Sequence, residues 1–145
     1  MDCLIHVGMH KTATTSFQSF LADKTCRLAE LGCIYPTSMR FNKQHSLLPG
    51  CYFPKHPFLP SNRSIDKMFY INQLKEELNS SNYLYCVISS EVFNELMVKN
   101  ISEAKELISD ISSLFNTCTL LITTRDHKSA AFSGLKHRLR NINLL

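Results

Sequence analysis

A chain of 145 residues is the size of one domain, and residues 1–145 are taken as a single unit. An apolar fraction of 44% with 19% charged residues excludes a disordered or fibrous chain. The net charge of +4 suits an anionic ligand but falls short of a dedicated nucleic-acid binder, so no nucleic-acid partner is expected. No run approaches the ~20 apolar residues of a membrane span, and the first apolar run is too short for a leader. A cytoplasmic location is the expectation. The six cysteines form no CxxC pair, which predicts buried reduced thiols and no zinc site.

Cys3 to Val7 reads as a buried strand. A helix is predicted from about Thr15 to Leu31, with Phe17, Leu21, Leu28 and Leu31 on its inner face and Gly32 as its stop. Cys33 to Tyr35 is a short second strand ended by Pro36. Residues 37–64 are rich in proline and read as a long irregular segment that is functional or mobile, with one helical turn over Gln44 to Leu48. Ser64 is the expected cap of a helix from Ile65 to Asn79 with Met68, Ile71, Leu74 and Leu78 inward. Tyr83 to Ile88 is a third strand. Ser102 is the expected cap of a helix from Glu103 to Phe115. Thr119 to Thr123 is a fourth strand, and a last, basic helix covers Lys128 to Arg140. Alternating strands and helices predict an α/β fold with a mostly parallel sheet flanked by helices in three layers. Ligands bind at the carboxyl ends of such strands. Three polar clusters fall there: residues 8–16, Ser89 to Glu91, and Thr124 to Asp126.

Gly8-Met9-His10-Lys11-Thr12-Ala13-Thr14-Thr15-Ser16 joins the first strand to the first helix. Strand, tight turn and helix N-terminus turn backbone N–H groups toward an anion. Lys11 adds a positive charge, and Thr12, Thr14, Thr15 and Ser16 add hydroxyls that either contact the ligand or cap the helix. The lysine spacing does not match the GxxxxGK[ST] loop of nucleoside triphosphate enzymes, and there is no GxGxxG.

These residues resemble the 5′-phosphosulfate loop of sulfotransferases that use 3′-phosphoadenylyl sulfate (PAPS). The likeness continues through Leu31 to Pro36, Ile88-Ser89-Ser90-Glu91, and Thr124-Arg125-Asp126 followed by Ser133. The blocks keep the family's order and span nearly the whole chain. The resemblance implies the phosphate-loop nucleotide-hydrolase-like sulfotransferase fold, transfer of a sulfuryl group to a hydroxyl or amine acceptor such as a carbohydrate, PAPS as co-substrate and no metal. It places His10, Lys11, Thr12, Ala13, Thr14, Thr15 and Ser16 on the 5′ side of the nucleotide, and Arg125 and Ser133 on its 3′-phosphate. Lys11 is the expected charge stabiliser. Glu91 and His45 are the two candidates for the general base. Ala13 stands where the family more often carries glycine, a tolerable change if the backbone there has φ < 0. Family members continue well past the last helix, so the expectation is a C-terminally truncated domain whose open side is covered by a partner chain or a second copy. An inactive nucleotide-binding relative and, more remotely, a phosphate-loop kinase are the alternatives.

Overall fold

The computed structural model describes residues 1–9, 12–53, 66–80, 82–124 and 126. Four strands form an all-parallel sheet in the order β2-β3-β1-β4: β1 (Asp2–Gly8), β2 (Cys33–Ile34), β3 (Tyr85–Ser90) and β4 (Thr117–Thr123). The chain leaves β1 toward β2 on one side and later crosses over β1 to β4 on the other. The carboxyl end of β1 is therefore the topological switch point, where α/β sheets bind ligands.

Strand parity assigns the two faces. Cys3, Ile5, Val7, Cys86 and Ile88 point into one core. That core is closed by three helices: α4 (Lys67–Asn79), α5 (Val92–Lys99) and α6 (Ile101–Ser112). They contribute Ile71, Leu74, Leu78, Phe93, Leu96, Leu107 and Ile111, each at most 7% exposed. The opposite face presents His6 and Ser89, and α1 (Thr14–Asp23) covers it. The architecture is thus α/β with helices on both faces of a parallel sheet. Cys3 pairs in register with Cys86 on one side and Cys118 on the other, so three thiols lie side by side across the sheet. All six cysteines are free, but Cys26 is exposed rather than buried.

Several boundaries differ from the sequence reading. The first helix is two: α1 ends at Asp23 and α2 (Thr25–Glu30) follows a break at Lys24. Thr25 and Cys26 are weak helix formers at that junction, and Asp23 is held by Lys43 at 2.9 Å. The buried face of α1 is Thr14, Gln18 and Leu21, while Leu31 lies exposed past the end of α2. Gly32 does end the helical region, at φ 69. The irregular segment is largely core in its described part. Met39, His45, Ser46, Leu47, Leu48 and Tyr52 are buried, and the short helix α3 runs Leu47–Gly50, not 44–48. The cap of α4 is Asp66, whose carboxylate accepts from the Phe69 N–H at 3.1 Å; Ser64 and Ile65 lie outside the described residues. The third strand lies two residues later than predicted, at 85–90, and β4 starts two earlier. Helix α5 is absent from the sequence reading, and Ser102 is no cap, since it sits inside α6 with its hydroxyl on Glu103. The predicted helix 128–140 lies outside the described residues. Among the described residues no helix is long and apolar enough to cross a membrane.

Candidate functional site

The loop after β1 begins and ends within the described residues, at Met9 and Thr12, while His10 and Lys11 lie outside them. The Met9 N–H donates to the Thr123 carbonyl at 3.3 Å, so the loop departs alongside the end of β4. Thr12 Oγ donates to the Met9 carbonyl at 2.7 Å and closes the loop on itself. Thr14 is buried and its hydroxyl lies 3.1 Å from that of Thr12. These two hydroxyls are occupied within the loop. Thr15 and Ser16 are exposed on the first turn of α1. Its N-cap, Ala13, makes no side-chain hydrogen bond to that turn.

Gly8 is explained by space. A Cβ there would run into Thr14 Cγ2 and lie 2.5 Å from Thr14 Oγ1. Ala13 is the N-cap of α1 at φ 60, ψ 19, so the condition φ < 0 under which alanine is tolerable there is not met. The chain has to reverse between a strand end and a helix start within a few residues, and the left-handed conformation accomplishes it. An L-residue there is strained by about 1 kcal/mol. Ala13→Gly is therefore expected to raise stability by about 1 kcal/mol, seen as a higher urea midpoint at unchanged slope.

Of the three predicted clusters, the 8–16 loop and Ser89 to Glu91 are joined through His6 and Thr123, while Arg125 of the third lies outside the described residues. His6 on β1 lies with Nδ1 2.8 Å from Ser89 Oγ on β3 and Nε2 3.1 Å from Thr123 Oγ1 on β4. Thr123 Oγ1 is in turn 3.1 Å from Thr12 Oγ1. Gln18 Nε2 donates to Ser89 Oγ at 3.2 Å. His6 is 1% exposed, and burial lowers its pKa, so the ring is neutral near pH 7. Phe17 packs edge-on against it at 4.8 Å between centroids. His6 reads from the sequence as a strand histidine packed in the core and is buried there, whereas Gln18 and Thr123 are not singled out. A signal existed: a histidine inside an apolar strand, and Thr14 and Gln18 four residues apart on a helix face that had to be buried.

His45 is not placed to act as a base. It is fully buried, with Nε2 2.9 Å from the Pro36 carbonyl and Nδ1 accepting from the Ser89 N–H at 3.2 Å. Its own N–H donates to the Ser89 carbonyl at 2.8 Å. Strand β2 stops opposite Cys86, so the outer edge of β3 beyond it lacks a strand. His45 supplies the missing partners with its main chain and its ring. Burial, outweighing the bonds to Pro36 and Ser89, holds the ring pKa down at about 4.

Glu91 follows β3 and its N–H donates to Gln44 Oε1 at 3.4 Å. It lines a cleft of about 350 Å³ with Thr15, Gln18, Asn42, Lys43 and Gln44. A carboxylate and a loop hydroxyl thus share one cavity. Arg125 and Ser133 lie outside the described residues. Among the described residues no three His, Cys, Asp or Glu side chains are grouped to hold a metal. No family profile, no curated protein and no solved structure matches the chain.

Proposed function

We propose that the chain binds PAPS and transfers its sulfuryl group to a hydroxyl or amine acceptor, within the phosphate-loop sulfotransferase fold. The observation that carries the reading is the cleft in which Thr15, on the anion loop at the switch point, and Glu91, at the end of the next strand, face a common space. The loop amides and Lys11 bind the 5′ side of the nucleotide, and Arg125 with Ser133 takes the 3′-phosphate. The acceptor oxygen or nitrogen attacks sulfur, the bond from sulfur to the bridging phosphate oxygen breaks, and adenosine 3′,5′-bisphosphate leaves. Lys11 stabilises charge on that oxygen. Glu91 takes the acceptor proton, a role that His45 cannot fill with both ring nitrogens engaged. Amide and hydroxyl side chains predominate around the cleft, with no aromatic ring among Thr15, Gln18, Asn42, Lys43 and Gln44. Such a lining favours a polyhydroxylated acceptor over a phenol.

A binding protein without turnover is the second reading. It is favoured by β4, where Leu120 is 45%, Leu121 40% and Ile122 55% exposed. A partner chain or second copy lying on that strand would close it.

Calorimetry with adenosine 3′,5′-bisphosphate and AMP tests the site. The bisphosphate should bind more tightly, and Lys11→Ala and Arg125→Ala should each weaken it about tenfold to a hundredfold. Equal affinity for the two nucleotides refutes the 3′-phosphate assignment. Labelled sulfate transferred from PAPS to a sugar panel, and lost in Lys11→Ala, separates the enzyme from the binding protein. A requirement for ATP and Mg²⁺ instead would mark a kinase.

A further inference from the structure

We infer that His6 is a positioning residue for the anion loop, holding Thr12 through Thr123 by a directed hydrogen-bond chain. The chain has fixed ends. At one end, the Met9 carbonyl only accepts, so the single hydroxyl proton of Thr12 goes to it across 2.7 Å. Thr12 Oγ1 then has only lone pairs to offer Thr123, 3.1 Å away, and Thr123 must be the donor. With its proton committed, Thr123 accepts from His6 Nε2 at 3.1 Å, which places the imidazole proton on Nε2. Nδ1 of the neutral ring accepts the Ser89 hydroxyl proton at 2.8 Å. At the other end, the Gln18 amide only donates from Nε2, and Ser89 Oγ accepts it at 3.2 Å. Reversing the chain would leave the Met9 carbonyl with the Thr14 hydroxyl alone, at 3.4 Å.

Each link from Gln18 to Thr12 then has a donor and an acceptor. The chain links α1, β3, β1, β4 and the loop in that order, and it ends by tying Thr12 to Met9 across the two loop residues that carry Lys11. Among the described residues His6 makes its hydrogen bonds to Ser89 and Thr123 rather than to the loop itself. It acts by holding Thr123 as a donor, which fixes the rotamer of Thr12 and with it the backbone that faces the anion. A packing role alone would need only the ring against Phe17 and would be indifferent to the tautomer.

The inference rests on the nucleotide reading above only for its effect on binding, so the test has a ligand-free arm. Long-range ¹⁵N–¹H correlation on the intact chain should show His6 protonated at Nε2 at neutral pH. Protonation at Nδ1 overturns the chain. Thr123→Val keeps the side-chain shape and removes the hydroxyl, and should leave His6 as a mixture of tautomers; an unchanged tautomer overturns the proposal. With adenosine 3′,5′-bisphosphate as the probe, Thr123→Val and His6→Phe should each weaken binding about tenfold. The double variant should be no weaker than the worse single one, because both cut one chain. Additive losses, or affinity equal to the unmodified protein in a folded Thr123→Val, refute positioning. If the unmodified protein does not bind the bisphosphate, the nucleotide reading falls and the tautomer arm alone decides the chain.

Discussion

Lowering the pH from 6.5 toward 4 is expected to remove about 3 kcal/mol of folding stability through His45 alone. The sign follows from the direction of the shift. In the unfolded chain the imidazole titrates near its model value of 6.5; in the fold it titrates at about 4. Between those values the unfolded chain binds the extra proton, so stability rises with pH across the window and falls as acid is added. Above the window the contribution is fully present; below about 4 both states are protonated and the loss is complete. His6 is shifted in the same direction by burial and steepens the upper part of the slope. Urea melts at half-unit steps between pH 4 and 8 measure it. His45→Gln should flatten the slope, although it lowers stability at neutral pH by leaving partners at Pro36 or Ser89 unmet. An equal slope in that variant would mean that other groups dominate acid unfolding.

Gly8→Ala is the second large effect. The added methyl meets Thr14 Cγ2 and Oγ1, and Thr14 is 2% exposed on the first turn of α1. The turn has nowhere to retreat while Thr12 and Gln18 hold it from either side. Overpacking of this kind costs about 1–3 kcal/mol. Bisphosphate binding should fall at least tenfold, since the displaced turn carries the exposed donors. Thr14→Ala in the Gly8→Ala background removes both clashing γ atoms and should restore part of the lost stability, read from urea midpoints. Independent, additive losses would show that the two residues do not meet.

The layering of the fold was legible because parallel strands write themselves as short apolar runs, and the runs at Cys3, Tyr85 and Thr117 do so, although the last is largely exposed. Their order also placed three polar clusters at one sheet edge, and His6, Ser89, Thr12 and Thr123 do converge there. Helix α5 was not legible, because Val92 follows Glu91 with no punctuation and Ser102 imitated a cap. His45 was misread for a different reason. Its partner Ser89 is 44 residues away, and only the early end of β2 makes a ring nitrogen stand in for a strand. The α1 face was read in part, at Leu21 and Phe17, and its Thr14 and Gln18 were missed because helical periodicity counts apolar residues, while the covered surface of the sheet is polar.

That polar covering sets the rotational phase of α1. A helix seated by apolar contact can roll by a fraction of a turn and exchange one methyl for another at little loss. Here a small roll takes Gln18 off Ser89 and leaves a buried amide and hydroxyl short of a partner. The helix that carries the site therefore has one azimuth, and the sheet, not the ligand, dictates it.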